Sequence, residues 1–165
     1  MNIVLLEPEI PHNTAAIGRL CVVTGTRLHL IKPLGFDTSE KAIRRTGLDY
    51  WQFLDVTYYE NLSDFFSQNK DAEVYYATTK AQKAYSEINY SSGCFIMFGK
   101  ESAGLPEELL ISNKRHSLRI PMLGDYRSLN LSVSAGIILY EALRQHGFSG
   151  LERTGSLHRY SWNDD

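Results

Sequence analysis

The sequence predicts an α/β fold in which helices cover both faces of a mostly parallel six-stranded sheet. Six short, mainly apolar runs recur along the chain, and most of them do not alternate with polar residues. Such runs are typical of strands buried on both faces, as in a parallel sheet. Five segments with helical composition lie between or after these runs, and this alternation indicates the α/β class.

Several of these elements carry recognisable end signals. Asn13 is a candidate N-cap of the first helix, and Gly25 follows its last residue. Ser128 or Asn130 can cap the last helix, which we expect to end at Gly147. The predicted strands are Asn2–Leu6, Leu28–Ile31, Phe53–Val56, Val74–Ala77, Phe95–Phe98 and Ser117–Ile120, and the predicted helices are Thr14–Thr24, Ser39–Arg45, Leu62–Gln68, Pro106–Ser112 and Asn130–Gln145.

The composition is that of one globular domain. The 165 residues are 43% hydrophobic and 22% charged, which is typical of globular chains. We expect a single domain over residues 1–150 and a tail over residues 151–165. The net charge of −2 argues against indiscriminate binding to nucleic acid but is compatible with a local basic face. The N-terminal apolar run is too short for a signal peptide or a membrane span, so we expect a cytoplasmic protein.

The cysteine and histidine positions predict no metal site. Cys21 and Cys94 are far apart and have apolar neighbours, which favours buried thiols over a disulfide or metal ligands. The five histidines show no spacing typical of metal ligands, either among themselves or with the cysteines. We therefore predict that the protein binds no metal.

Three predicted strands end in segments suited to ligand binding, namely Thr78-Thr79, Gly99-Lys100 and Pro121-Met122. Ligands of open α/β sheets bind at the carboxyl ends of strands. The three ends together predict one site, although each alone is compatible with an ordinary turn. Residues 93–102 are not a phosphate-binding P-loop, because five residues rather than four separate the glycines and Glu101 replaces the required hydroxyl residue.

Cations at two places are candidates for contact with a polyanion. Arg19 lies among small and apolar residues of the first predicted helix. It either reaches solvent from a buried helix or recognises a phosphate or ribose with its rigid five-donor guanidinium. Lys41, Arg44 and Arg45 have i, i+3, i+4 spacing and share one side of a helix. This group either contacts phosphates or forms a solvated face.

Three segments resemble the three motifs of the SPOUT RNA ribose methyltransferases. They are residues 13–19, residues 98–106, and residues 120–122 followed by residues 127–132. The segment Arg-Arg-Thr-Gly-Leu-Asp-Tyr-Trp at residues 44–51 is similar to the small tRNA (cytidine/uridine) 2′-O-methyltransferases that modify the anticodon wobble nucleotide. The resemblance extends from about residue 2 to residue 150. Ala15 and Lys100 depart from it, since glycine and proline are common at these positions in the family.

The resemblance implies a C-terminal trefoil knot, a homodimer whose sites use both subunits, and S-adenosylmethionine as methyl donor, with S-adenosylhomocysteine as product. Arg19 matches the family arginine associated with the target ribose and is the candidate catalytic residue. The candidates for contact with tRNA are Asn13, Lys41, Arg44, Arg45 and Arg127. The positions that match the cofactor pocket are Ala77, Thr78, Gly99, Glu101, Ile120, Met122, Ser128, Leu129 and Asn130.

The implied reaction is transfer of a methyl group to the ribose 2′-hydroxyl of the wobble nucleotide, a cytidine or modified uridine. One alternative is ribose methylation at another tRNA position or in rRNA. A second, from a different class, is a binding protein that keeps the fold and the dimer but lacks turnover.

Overall fold

A computed structural model describes residues 1–36, 50–124 and 127–162 of the chain. Within these ranges, seven strands form one sheet, and four α-helices pack on it. The strands are β1 (Asn2–Leu6), β2 (Arg27–Ile31), β3 (Val56–Tyr59), β4 (Val74–Ala77), β5 (Lys83–Ala84), β6 (Phe95–Phe98) and β7 (Ser117–Arg119), and the helices are α1 (Pro11–Thr24), α2 (Leu62–Gln68), α3 (Glu107–Ser112) and α4 (Leu131–Gln145).

The sheet is parallel in every described ladder, which confirms the predicted α/β class. Its strand order is β3-β2-β1-β6-β4-β7-β5. Side chains of β1 alternate between two cores, with Ile3 and Leu5 in one and Val4 and Leu6 in the other. Helices α1 and α4 contribute to the first core, and α2 and α3 contribute to the second. Both faces of the sheet are therefore covered, as the uninterrupted apolar runs predicted.

Two strand predictions need correction. The strand predicted at Phe53–Val56 shares only Val56 with β3, because Trp51–Phe53 form a 3₁₀ turn that leaves the Phe53 side chain exposed. The β-branched and aromatic run at residues 56–59 forms the strand instead. The sheet also has a seventh strand, β5, where six were predicted. Its two residues are too few to show an apolar pattern.

Three of the four helix-end residues predicted from the sequence are confirmed by the structure. Gly25 follows α1 in a left-handed conformation with φ of 64°, and the Asn130 side chain accepts hydrogen bonds from the backbone N–H groups that open α4. Gly147 closes α4, also with positive φ. Asn13, however, is not an N-cap, because α1 already begins at Pro11, whose fixed φ suits the first helical position. The predicted helix Ser39–Arg45 lies outside the described residues.

The described part of the chain shows neither a metal-binding cluster nor a helix long and apolar enough to cross a membrane. Cys21 and Cys94 are buried thiols, as predicted. Burial raises the pKa of the Cys21 thiol to about 12 and that of Cys94 to about 11, so both remain protonated at neutral pH.

His29 is a buried polar residue of the sheet, and only 5% of its surface is exposed. Its Nδ1 lies 2.9 Å from the Tyr59 hydroxyl, and its Nε2 lies 3.2 Å from Asn2 Oδ1. Since Asn2 Oδ1 can only accept, Nε2 carries the proton and the Tyr59 hydroxyl donates to Nδ1. Burial lowers the pKa of His29 to about 4, because desolvation disfavours the charged imidazolium.

We expect the free energy of unfolding to fall by about 2 kcal/mol between pH 7 and pH 5 on account of His29. In this window the unfolded histidine, with its ordinary pKa near 6.5, takes up a proton that the folded one excludes. The stabilisation that comes from burying His29 in its neutral form is complete above pH 6.5 and is lost as the pH falls toward 4. Urea unfolding of the wild type and of His29→Gln at both pH values measures it. An equal pH dependence in the two proteins would contradict this assignment.

Candidate active site

A cavity of about 630 Å³ opens at the carboxyl ends of β4, β6 and β7. This volume lies in the range typical of small-molecule sites. Its lining contains all nine residues predicted for the cofactor pocket: Ala77, Thr78, Gly99, Glu101, Ile120, Met122, Ser128, Leu129 and Asn130. The predicted convergence of the three strand ends is therefore confirmed, whereas the role of each residue as a cofactor contact stays a prediction.

Loop 99–104 forms one wall of the cavity and is tightly folded. Gly104 N–H donates a hydrogen bond of 2.8 Å to the Lys100 carbonyl, and Gly104 has a φ of 71°. A Cβ atom built on Gly99 would lie 2.1 Å from the carbonyl carbon of Gly104 and 2.4 Å from the nitrogen of Leu105. Since both neighbours are backbone atoms, only glycine fits at position 99 without moving the loop.

A chain of side-chain hydrogen bonds joins the three motif segments beside the cavity. Asn13 Nδ2 donates to Glu101 Oε1 over 2.8 Å, and Asn130 Nδ2 donates to Asn13 Oδ1 over 2.9 Å. Asn130 Oδ1 in turn accepts from the N–H groups of Ser132 and Val133 at the start of α4. Asn13, predicted as an RNA contact, thus lies at the centre of a network that connects β6 to α4.

Three cations line the cavity among the described residues, and two of them form ion pairs. Lys80 pairs with Glu107, and Lys100 pairs with Glu7 at 2.7 Å. The carboxylate of Glu7 raises the pKa of Lys100. Arg127, predicted to contact RNA, is exposed and has no ion pair with another described residue.

Arg19 lies on the exposed side of α1 and is not part of the cavity lining. Its guanidinium carbon lies 5.9 Å from the centre of the Tyr50 ring, within the range of a cation–π contact. The Tyr50 hydroxyl donates to the carbonyl of Ala15 over 2.7 Å. Trp51 packs against the core beside Gly18. Lys41, Arg44 and Arg45 lie outside the described residues.

Several lining residues were absent from the sequence prediction. Ser134 and Ile138 of α4 follow Asn130 by four and eight residues, so they lie on the side of the helix that faces the cavity. That spacing was available in the sequence as a signal. Ile10 and Ser102 also line the cavity, but their proximity arises from contacts between segments more than 90 residues apart, which no local pattern shows.

Comparison with known proteins identifies the class to which this fold and cavity belong. Residues 1–140 match the model of the SpoU rRNA Methylase family. The chain therefore belongs to the SpoU rRNA methylase family.

Individual relatives and solved structures agree with this family. The chain is 44% identical to the tRNA (cytidine(34)-2′-O)-methyltransferase of Escherichia coli strain K12 over 151 residues, which cover 91% of this chain and 96% of the relative. A solved structure concerned with the 2-OH methylation of C/U34 on tRNA matches with a TM-score of 0.82 and 39% identity, and the match covers 88% of this chain and 95% of the other. An AdoMet-bound rRNA methyltransferase from Sinorhizobium meliloti matches with a TM-score of 0.73 and 27% identity, covering 87% of this chain and 55% of the other.

Proposed function

We propose that this protein transfers a methyl group from S-adenosylmethionine to the ribose 2′-hydroxyl of the wobble nucleotide in a tRNA anticodon loop. The observation that carries the proposal is the convergence of three motif segments, distant in sequence, around one cavity at the carboxyl ends of β4, β6 and β7. The name of the relative from Escherichia coli supports the choice of tRNA and of position 34.

The cavity residues fit S-adenosylmethionine as the methyl donor. The segments that begin at Ala77, Gly99 and Ile120 offer backbone groups for an adenosine, and the apolar side chains of Leu129 and Ile138 offer contact surface. When bound, the cofactor supplies a methyl group already activated on a sulfonium. The task of the protein is then to hold the ribose oxygen in line with that group, and positioning alone can contribute roughly 7–11 kcal/mol.

Arg19 is proposed to orient the ribose or its 3′-phosphate. A guanidinium keeps its proton at neutral pH and is a poor base, whereas its planar donors suit phosphate and hydroxyl oxygens. We assign proton loss from the 2′-hydroxyl to a late step with water as acceptor. Since Arg19 lies outside the cavity lining of its own chain, its role concerns the RNA rather than the cofactor.

A homodimer is part of the proposal, and the exposed apolar residues of α1 and α4 support it. Val23, Val133 and Tyr140 are each between 46% and 60% exposed although they are large and hydrophobic. A Cβ atom built on Gly136 would meet no atom within 4 Å among the described residues, so the surface of α4 is open to a close neighbour there. The proposed enzyme is cytoplasmic and has a trefoil knot in its domain over residues 1–150.

Binding of tRNA is proposed to involve Arg127 together with Lys41, Arg44 and Arg45. Contacts between these cations and phosphates release counterions, so we expect the affinity for tRNA to fall as the salt concentration rises. Filter binding at 50 and 200 mM salt measures this decrease in affinity for tRNA. Affinity that does not change with salt would contradict a role for these cations in binding.

Nucleoside mass spectrometry of tRNA from cells that lack this protein tests the proposed reaction. We expect the 2′-O-methylated wobble nucleotide to be missing and to return when the gene is restored. Loss of a 2′-O-methyl group at another tRNA position or in rRNA, with position 34 unchanged, would favour the alternative substrates. No change in any RNA would refute the proposed activity.

A further inference from the structure

Along the wall of the cavity, two segments are joined by hydrogen bonds in both directions. We call this contact between residues 7–10 and residues 100–102 the glutamate junction. The Glu9 carboxylate accepts from Ser102 N–H over 2.8 Å and from the Ser102 hydroxyl over 2.9 Å. The Glu101 carboxylate accepts from Glu9 N–H over 2.8 Å and from Ile10 N–H over 3.3 Å. Each glutamate thus binds the segment that carries the other.

The carboxylate of Glu9 uses both oxygen atoms in this contact. The two hydrogen bonds from Ser102 hold the pKa of Glu9 below its ordinary value, so the group is ionised at neutral pH and both oxygens accept. Hydrogen bonds to an ionised acceptor are roughly twice as strong as neutral ones. The backbone of loop 99–104 is therefore attached at Ser102, directly beside Glu101.

Residues 7–10 are themselves held from the other side, which makes them a firm support. Glu7 N–H donates to the Ile31 carbonyl, and Gly35 N–H donates to the Pro8 carbonyl, both over 2.9 Å. A Cβ atom built on Gly35 would lie 2.7 Å from the Cα atom of Glu9. Displacement of Glu9 toward Gly35 is blocked by this close packing.

The ion pair between Lys100 and Glu7 belongs to the same junction but contributes less to its geometry. Both side chains are more than 30% exposed, and the two hydrogen bonds between Glu9 and Ser102 are exposed as well, so exposure does not separate the two contacts and their geometry decides. The lysine is also a flexible point charge, whereas Glu9 binds a backbone N–H and a short hydroxyl in a fixed arrangement. The contact that fixes the loop is thus the one between Glu9 and Ser102.

We propose that Glu9 is a positioning residue of the active site. Its carboxylate holds Ser102 so that the neighbouring Glu101 keeps its hydrogen bond to Asn13, which in turn orients Asn130 at the cavity. This inference rests on the proposed function, since it assigns Glu9 to the support of the methyl-donor site. It predicts that loss of the Glu9 carboxylate weakens cofactor binding although Glu9 itself is not in the cavity lining.

Calorimetric titration of the full-length variants with S-adenosylhomocysteine tests the proposal. We expect Glu9→Ala to raise the Kd by about tenfold, which corresponds to about 1.4 kcal/mol, because the substitution removes both hydrogen bonds that hold Ser102 beside Glu101. Glu9→Gln is the conservative rescue. Its carbonyl can accept from Ser102 N–H while its amide donates to the Ser102 hydroxyl, so its Kd should stay within about threefold of the wild type. Glu60→Ala, which removes an exposed glutamate paired with Lys32, is the matched control and should leave the Kd unchanged.

Ser102→Ala in combination with Glu9→Ala shows whether the two residues act through one contact. We expect the Kd of the double variant to be lower than the product of the two single-variant effects predicts. The second substitution removes a hydrogen bond that the first substitution has already broken. Should Glu9→Ala fold too poorly for titration, Glu9→Asp, whose shorter side chain cannot keep both hydrogen bonds to Ser102, is expected to raise the Kd by about threefold.

The outcomes separate this inference from the proposed function. A Glu9→Ala protein, or in its place Glu9→Asp, that binds S-adenosylhomocysteine as tightly as Glu60→Ala would overturn the role of Glu9. A Glu9→Gln protein whose Kd is as high as that of Glu9→Ala would also overturn it, since positioning through Ser102 predicts that glutamine restores binding. A wild type that does not bind S-adenosylhomocysteine would refute the proposed function instead.

Discussion

Replacing Arg19 with alanine is expected to lower the rate of methyl transfer to tRNA by about 100-fold or more, since loss of an orienting group has effects of this order. The Kd for S-adenosylhomocysteine should remain within about twofold, because Arg19 does not line the cavity in its own chain. The side chain is exposed and its cation–π contact with Tyr50 is a surface contact, so the free energy of unfolding should change by no more than about 1 kcal/mol. Single-turnover kinetics together with calorimetry measure these quantities.

Two further variants sharpen this prediction. Arg19→Lys retains the positive charge but lacks the planar donor array, and we expect it to be nearly as slow as Arg19→Ala. Near-normal turnover of Arg19→Lys would remove the guanidinium from the chemistry. Arg27→Ala is the matched control, because Arg27 is an exposed arginine paired with Asp55 at the start of β2, at the amino ends of the strands and away from the cavity.

Replacing Gly99 with alanine is expected to damage the cofactor site by moving loop 99–104. The new Cβ atom would overlap backbone atoms of Gly104 and Leu105, the closest at 2.1 Å. Overpacking of this kind costs about 1–3 kcal/mol of stability, and the loop must shift away from its place in the cavity wall. We expect the Kd for S-adenosylhomocysteine to rise by about tenfold or more, and the melting temperature to fall.

Gly155→Ala provides the comparison for this variant. Gly155 lies in the tail, its φ is not positive, and a Cβ atom built there would meet nothing within 4 Å among the described residues. Its Kd and melting temperature should equal those of the wild type. If Gly99→Ala behaved like Gly155→Ala, loop 99–104 would be more adaptable than its packing indicates.

The sequence predicted the sheet and the last helix because local signals determine them. The apolar runs at residues 2–6 and 95–98 are strands in the structure, and Asn130 caps α4 as its side-chain chemistry suggests. Asn13 has the same capping chemistry, yet the proline at position 11 starts the helix earlier. The Asn13 amide is then available to bind Glu101 and Asn130.

The individual side-chain contacts between distant segments were the part that the sequence could not reveal, although it predicted that the three strand ends converge. Lys100 departs from the residue common in the family, and only the fold shows that it pairs with Glu7, 93 residues earlier. The contact between Glu9 and Ser102 has the same separation. Such pairs depend on which strands become neighbours, since β6 lies next to β1 in the sheet. The position of Arg19 outside the cavity likewise depends on how α1 packs.

Incubation of unfractionated tRNA with the purified protein and isotopically labelled S-adenosylmethionine tests the central claim most directly. After the reaction, mass spectrometry of nuclease fragments locates the labelled methyl group. We predict label on the ribose of nucleotide 34 in a subset of tRNAs, dependent on intact Arg19. Label confined to another nucleotide or to a base, or no label from a folded protein that binds S-adenosylhomocysteine, would contradict the account.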